Sequence, residues 1–460
     1  MGGKILATRV ILVRHGESTY NIEQRVQGHC DQSCLTDHGR KGAQQVGQAL
    51  QGLALEVIYS SPLQRAQETA DIIRSQIQSL PHPPDLHLTD QLKEIHLPLW
   101  EGMLFEEVKS QYPEEYRCWQ QQPHNLCMQI PSVTGVTDFY PVPAVYDQAR
   151  KFWLDVLPRH PGVTLLIVAH SGINRALINT AMGLPPDRYQ RMNQSNCGIS
   201  VLNFAGGLGD PVQLESLNLT AHLGDPLPKA RPWQGKFPLR LLLVRHGETE
   251  WNRQTRFQGQ IDVPLNDNGR VQAQQAAEFL KVIPLEAAFS SPMLRPKETA
   301  EIILQHHPAL SLQLRDGLRE ISHGLWEGQL ESEIEQSFPG QLQQWRDAPE
   351  TVQMPEGENL QDVWDRAIAA WQVMVNELAA AAQDGSRTAL VVAHDATNKV
   401  ILCHILGVGP ESFWSFRQGN GAVSVVDYPQ GPQGVPVLQA MNITTHLAGG
   451  ILDRTAAGAL

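Results

Sequence analysis

Two arginines and two histidines recur in step in each half of this chain: Arg14, His15, Arg65 and His170, then Arg245, His246, Arg295 and His394. A phosphoryl group spreads its charge over three peripheral oxygens, and planar guanidinium forks bind such oxygens in pairs. An imidazole with one unprotonated nitrogen can attack phosphorus, provided a hydrogen bond from its other nitrogen to a backbone carbonyl holds that tautomer. Gly16 and its neighbourhood are expected to offer the carbonyl, because glycine lets backbone approach closely. The second imidazole, when protonated, would stabilise charge building up in the transition state. A departing alkoxide then needs an acid, and Glu94 and Glu320 are the candidates. The scheme requires neither metal nor cofactor.

Such groups must be delivered by rigid elements. Leu12-Val13-Arg14-His15-Gly16-Glu17 and Leu243-Val244-Arg245-His246-Gly247-Glu248 each close an apolar, β-branched run, the pattern of a buried strand presenting residues at its carboxyl end. The rest of the halves follows in register. Ser60-Ser61-Pro62 with Glu68-Thr69-Ala70 answers Ser290-Ser291-Pro292 with Glu298-Thr299-Ala300; Leu92-Lys93-Glu94-Ile95 answers Leu318-Arg319-Glu320-Ile321; Asn196 answers Asn420. The offset drifts only from 231 (15 to 246) to 224 (170 to 394), so the repeating unit is a whole domain. Solenoid units are far shorter, about 20 to 50 residues.

The expected boundaries are a first domain over 1–223, a linker over 224–238 rich in Pro and Gly, a second domain over 239–447 and a frayed tail over 448–460. Strand-like runs (Val10 to Val13, Val57 to Tyr59, Thr164 to Ala169) alternate with helical stretches (Gly39 to Leu53, Leu63 to Gln78, Val145 to Leu157, Ile173 to Met182). That alternation predicts α/β architecture: two tandem α/β/α sandwiches, each with a largely parallel sheet flanked by helices.

A formal charge of −12 argues against a nucleic-acid partner, which needs a basic face. No apolar run approaches the roughly 20 residues of a membrane span. The first strand begins almost at once, so no signal peptide is expected, and six cysteines without a paired framework suit a reducing, cytoplasmic setting. His29, Cys30, Cys34 and His38 suggest a zinc site, but the aligned Gln260-Ile261-Asp262-Val263-Pro264-Leu265 holds no matching set, so no metal is assigned. Asn218-Leu219-Thr220 and Asn442-Ile443-Thr444 fit the glycosylation pattern and are read as strand residues, while Trp100 and Trp326 are read as core.

Taken together, these motifs resemble the histidine phosphatase superfamily, which includes cofactor-dependent phosphoglycerate mutases and fructose-2,6-bisphosphatases. The resemblance covers nearly all of both repeats. It implies that His15 and His246 become phosphohistidines, that Arg14, Arg65, His170, Arg245, Arg295 and His394 bind phosphate, and that Glu94 and Glu320 donate protons. It also marks Asn21, Gln27 and Gly28, with Asn252, Gln258 and Gly259, as lining the pocket. The partner it implies is a small phosphorylated metabolite; the oligomeric state is not read from the sequence.

The copies differ where a lid would lie. The second has Met354-Pro355-Glu356-Gly357-Glu358-Asn359, similar to a segment common in the phosphatase branch; the first has Thr137-Asp138-Phe139-Tyr140-Pro141-Val142-Pro143. Glu358 and Tyr140 are therefore the candidates for substrate selection. The Tyr-Pro-Val stretch and the run from Gly172-Ile173-Asn174 to Leu202 are similar to the first domain of a plant branch that dephosphorylates a sugar acid. From the acid to the second histidine the chain has 76 residues (94 to 170) and 74 (320 to 394), shorter than in the family's mutases, which favours hydrolysis. The alternatives are a phosphoglycerate mutase, or one catalytic domain joined to a binding or regulatory one.

Overall fold

The computed structural model describes residues 7–77, 83–132, 135–230, 238–381, 387–448 and 450–455. The chain divides into two compact units, Met1–Asp225 and Pro226–Leu460. In the first, the strands are β1 (Thr8–Arg14), β2 (Leu55–Ser60), β3 (Asp85–Leu88), the hairpin β4 (Met128–Ser132) and β5 (Gly135–Phe139), then β6 (Thr164–Ala169), β7 (Ile199–Phe204) and β8 (Val212–Leu219). Its sheet runs β8-β7-β1-β6-β2-β3. The four strands β1, β6, β2 and β3 are parallel, and β7 and β8 add an antiparallel margin.

The second unit repeats this order with β9 (Leu239–Arg245), β10 (Ala287–Ser290), β11 (Leu312–Leu314), β12 (Arg387–Ala393), β13 (Val423–Tyr428) and β14 (Val437–Ile443). Each unit is thus the largely parallel, helix-flanked sheet that the sequence pattern predicts. The central strands are buried along almost their whole length, which explains why they read as continuous apolar runs and not as alternating ones.

Register brings the chemistry together. Arg14 pairs with Ala169 across β1 and β6, and Arg245 with Ala393 across β9 and β12, so His15 meets His170 and His246 meets His394 just past the strand ends. The helices run Asp37–Ala49, Gln64–Gln76, Pro141–Val156 and Ser171–Ala181. The first ends short of Leu53 because Gly52 turns with φ +80°. The third starts earlier than its apolar period because Pro141 suits a first helical turn.

A backbone-on-backbone contact anchors each Arg-His-Gly turn. Thr36 caps Asp37–Ala49 by accepting the Gly39 N–H, and Asn266 caps Asp267–Leu280 by accepting that of Gly269. A Cβ on Gly16 would lie 2.5 Å from the Gly39 carbonyl oxygen, and one on Gly39 would lie 2.1 Å from that of Glu17. The corresponding distances at Gly247 and Gly269 are 2.3 and 2.0 Å. Trp100 and Trp326 are core residues, 2% and 0% exposed, and Asn218 and Asn442 lie buried in β8 and β14.

Two segments depart from expectation. Within the linker, residues 231–237 lie outside the described residues, but Leu227 is buried and the Pro228 carbonyl accepts from Arg240. In the tail, expected to fray from 448, Ile451 is buried and Asp453 accepts from Arg417, Asn442 and Thr455, so packing and charge hold 450–455; residues 449 and 456–460 lie outside the described set. Among the described residues, no helix is long and apolar enough to cross a membrane.

Gly269→Ala must push the helix start away from the Glu248 carbonyl. It is expected to lower unfolding free energy by about 1–3 kcal/mol, the usual range for overpacking, in urea denaturation of the full chain. An unchanged midpoint would show the contact to be slack.

Candidate active site

In both units the imidazoles and guanidinium groups converge at the carboxyl end of the parallel strands, and all are buried. The His15 and His170 ring centres lie 5.1 Å apart; those of His246 and His394 lie 5.2 Å apart. Nδ1 of His15 is 2.7 Å from the Gly16 carbonyl oxygen, and Nδ1 of His246 is 2.7 Å from that of Gly247. A carbonyl only accepts, so each Nδ1 carries the hydrogen and each Nε2 carries a lone pair. In the second unit Arg295 Nε donates to that lone pair at 3.2 Å.

Burial, then the charges of Arg14 and Arg65, hold His15 well below the ordinary histidine range; burial, Arg295 and Arg245 do the same to His246. Both are neutral near pH 7. His170 and His394 are also lowered, by burial first and then by the neighbouring arginine and histidine. The second imidazole is therefore neutral too, so its protonated form has to be reached on binding an anion. Its Nε2 lies 2.8 Å from Ser61 Oγ in one unit and 2.9 Å from Ser291 Oγ in the other.

The arginines are aimed by carbonyl oxygens. Arg14 Nη1 donates to Gln194 at 2.9 Å, and Arg245 Nη1 to Gln418 at 2.5 Å. Arg65 donates to the carbonyls of Gly28 and Cys30, both at 2.9 Å; Arg295 donates to those of Gly259 at 2.8 Å and Ile261 at 3.2 Å. Desolvation lowers Arg295 to about 10, still a cation at neutral pH. Among the described residues, Arg65 Nε and Arg245 Nε are buried donors without a hydrogen-bond partner. Oxygens of a tetrahedral oxyanion are the kind of acceptor such donors suit.

Glu94 and Glu320 sit at the start of the helix that follows the second histidine. Glu94 accepts from the N–H groups of Ile95, Gly172 and Ile173 at 2.8, 3.1 and 3.0 Å. Glu320 accepts from Ile321, Ala396 and Thr397 at 3.0, 3.3 and 3.3 Å. Burial, and next the neighbouring Asp395 carboxylate, raise the Glu320 pKa above the ordinary glutamate value against the pull of Arg295.

The remaining pocket candidates divide. Asn21 Oδ1 accepts from Ser18 and from Asn196 Nδ2 at 3.1 Å, and Gln27 accepts from Ser18; Asn252 and Gln258 make the equivalent contacts with Thr249 and Asn420. Gly28 and Gly259 have φ of +48° and +54°, and a Cβ there would collide with Glu101 or Glu327 at 2.1 Å. Glu358 pairs with Arg366 at 2.8 Å and accepts the Ser322 N–H, while Arg366 holds the carbonyls of Gly317, Arg319 and Glu320. Glu358 thus braces the segment that carries Glu320. Tyr140 stands 44% exposed and shares a hydrogen bond with Cys127; its neighbour Phe139 packs on His96.

Several participants were not assigned from the sequence. Asn196 Nδ2 donates to the carbonyl of His15 at 3.0 Å, and Asn420 Nδ2 to that of His246 at 3.2 Å. Thr69 and Thr299 accept the N–H of Gly16 and Gly247 and donate to the Arg65 and Arg295 carbonyls. All stand in runs shared by the two halves, which was the available signal. His29, from the zinc-like cluster, instead donates from Nε2 to the Glu94 carbonyl at 2.8 Å, as Gln260 does to that of Glu320 at 3.0 Å.

The comparison with known proteins agrees with this geometry. The family model "Histidine phosphatase superfamily (branch 1)" matches residues 10–217 and 241–444. The chain is 32% identical over 452 residues to 2-carboxy-D-arabinitol-1-phosphatase of Triticum aestivum, covering 96% of this chain and 87% of that one. It is 30% identical over 446 residues to a probable 2-carboxy-D-arabinitol-1-phosphatase of Arabidopsis thaliana, covering 95% and 88%. Phosphoserine phosphatase 1 of Hydrogenobacter thermophilus is 32% identical over 217 residues, 47% of this chain and 95% of its own. The chain therefore belongs to the histidine phosphatase superfamily, and it is a phosphatase that carries the family's domain twice.

Proposed function

We propose that both units hydrolyse small phosphate monoesters, with phosphorylated sugar acids as the leading substrate class, through a phosphohistidine and without a metal. The observation that carries this reading is the tautomer lock: in each unit Nδ1 is spent on a glycine carbonyl, leaving Nε2 of a neutral, buried imidazole as the nucleophile. The sugar-acid preference is supported by the names of the two relatives that match nearly the whole chain.

Nε2 of His15 or His246 attacks phosphorus with its lone pair, and the phosphorus bond to the ester oxygen breaks. Arg14 and Arg65, or Arg245 and Arg295, hold the peripheral oxygens as charge shifts onto them. A phosphoryl dianion opposes the desolvation that keeps His170 and His394 neutral, so substrate binding itself draws a proton onto the second imidazole. Glu94 or Glu320, protonated, passes its proton to the departing alkoxide. Water then attacks the phosphohistidine, the same carboxylate takes a water proton, and phosphate leaves.

Acid quenching with phosphate-labelled substrate is expected to leave label on His15 and His246. The double variant His15→Ala, His246→Ala should hydrolyse at least about 10⁴-fold more slowly, the scale of losing a covalent nucleophile. A parent-like rate in that variant would end the proposal. Phosphoglycerate interconversion faster than phosphate release would replace hydrolysis with mutase chemistry, and a rate that falls with chelator would bring in a metal.

The pH dependence has a definite sign in the second unit. Glu320 donates only while protonated, so kcat falls as pH rises through its pKa, which burial and Asp395 have raised. In the His15→Ala chain, Asp395→Asn removes one of those causes and is expected to move the alkaline limb to lower pH. A limb that stays put would show that Asp395 does not act on the acid.

A further inference from the structure

The two phosphate cradles match, but the helix beside each acid does not. In the second unit Asp395 opens the helix Asp395–Leu406, lies 3.4 Å from Arg245 and pairs with Lys399 one turn on at 2.8 Å. Lys399 is 5% exposed and caged, with Nζ 4.8 Å from the Phe413 ring centre and 4.6 Å from that of Trp414. A buried ammonium needs a counter-ion, and here the fold supplies one.

The first unit changes all four positions. With the offset of 224 that relates His170 to His394, Asp395 becomes Ser171, Lys399 becomes Arg175, Phe413 becomes Tyr189 and Trp414 becomes Gln190. The cation is kept and its carboxylate is removed. Arg175 is half-buried and rests over the Tyr189 ring, 5.8 Å from its centre; among the described residues its buried Nε finds no acceptor and it makes no ion pair. Gln190 turns its side-chain amide to the Trp119 carbonyl and does not provide the aromatic wall of the other unit.

The ring under this guanidinium adjoins the acid. A Cβ on Gly172 would sit 2.5 Å from Glu94 Oε1 and 2.6 Å from the Tyr189 hydroxyl, so the acid and the ring beneath Arg175 are neighbours. Glu94 has to reach the ester oxygen in order to protonate it, which brings the non-phosphate part of the substrate to the same place.

We propose that Arg175, with Ser171 leaving room beside it, is the residue in the first unit that recognises a carboxylate on the phosphorylated substrate, the place that Asp395 fills in the second unit with a carboxylate of the protein's own. The first unit therefore prefers phosphorylated hydroxy acids to the matching esters without an acid group. This rests on the phosphatase reading above and adds to it the group that reads the acid.

The test uses the full chain carrying His246→Ala, which leaves the first unit's nucleophile, and a matched pair of esters, 3-phosphoglycerate and glycerol 3-phosphate, which differ in a carboxylate against a hydroxymethyl. The expected kcat/KM ratio favours the acid by about tenfold or more, the worth of one hydrogen-bonded charge pair. Arg175→Met is expected to erase the preference by raising KM for the acid, with glycerol 3-phosphate changed by no more than about twofold. Ser171→Asp, which installs the second unit's own carboxylate, should erase it as well, and keeps the test alive if Arg175→Met folds poorly. Equal losses on both esters, or an unchanged ratio, would overturn the assignment. Loss of all turnover in the His246→Ala parent would count against catalysis by the first unit and not against Arg175. In that case calorimetric titration of both esters into the His15→Ala, His246→Ala chain, with and without Arg175→Met, decides: Arg175-dependent binding of the acid alone upholds the proposal, and its absence ends it.

Discussion

Everything in each unit is organised around a concentration of positive charge that the protein must bury before any substrate arrives. Two guanidinium groups and two imidazoles meet at the ends of two parallel strands, and desolvation heads the causes that lower both imidazoles and Arg65 and Arg295. An unpaired buried charge would cost several kcal/mol. The fold meets that cost mainly with backbone carbonyl oxygens, those of Gln194, Gly28 and Cys30 in one unit and Gln418, Gly259 and Ile261 in the other. Carbonyls orient a guanidinium without neutralising it. A carboxylate there competes with an anion, so the loops bring mostly backbone to the arginines; in the second unit Asp395 also reaches Arg245, at 3.4 Å.

That constraint explains the glycines. Carbonyls can crowd a guanidinium only where the chain turns tightly, and Gly28 and Gly259 adopt positive φ with Glu101 or Glu327 occupying the space of a side chain. The same carboxylates then accept N–H groups from the loop they displaced into shape, His29 and Leu97 in the first unit and Gln260, Ile261 and His323 in the second. Gly16 and Gly247 combine two duties. Each gives the carbonyl that sets the histidine tautomer, and each packs without a side chain against the start of the next helix.

Much of this was legible in the sequence because strand, turn and catalytic residue are contiguous there. An apolar run ending in Arg-His-Gly specifies a buried strand, a presented imidazole and a close backbone turn in six letters, and its second appearance fixed the domain period. The supporting shell was less legible. Thr69 and Asn196 touch the Arg-His-Gly turn and Ser61 touches His170, each from far away in the chain, and a hydroxyl or amide has no single spacing that marks it as a brace. The lid was read by composition, which singled out Tyr140, whereas the hairpin β4–β5 turns Phe139 toward His96 and leaves Tyr140 outward at a helix start. Glu358 also ties its charge to Arg366, a partner that residues 354–359 alone do not reveal. The small residues of the tail suggest fraying, yet Ile451 is buried and Asp453 reaches Arg417 and Asn442, which together hold 450–455.

The duplication also separates what phosphate chemistry demands from what it permits. The tautomer-setting glycine carbonyls, the carbonyls that aim the arginines and the N–H groups that hold Glu94 and Glu320 recur from one unit to the other, as the proposed phosphoryl chemistry requires of both. The acid's surroundings face no such limit. In the second unit Asp395 raises the pKa of Glu320 while satisfying Lys399, so one buried carboxylate adjusts a proton donor and neutralises a cation at once. With serine at the matching position the first unit has no such carboxylate, and among the described residues Arg175 makes no ion pair. Moving a counter-ion from the protein to the ligand leaves the fold and the phosphate cradle intact, since the helix needs only a residue that can begin it. Divergence between the two pockets is therefore cheapest at this helix start, next to the acid and one side chain away from the arginine that holds phosphate.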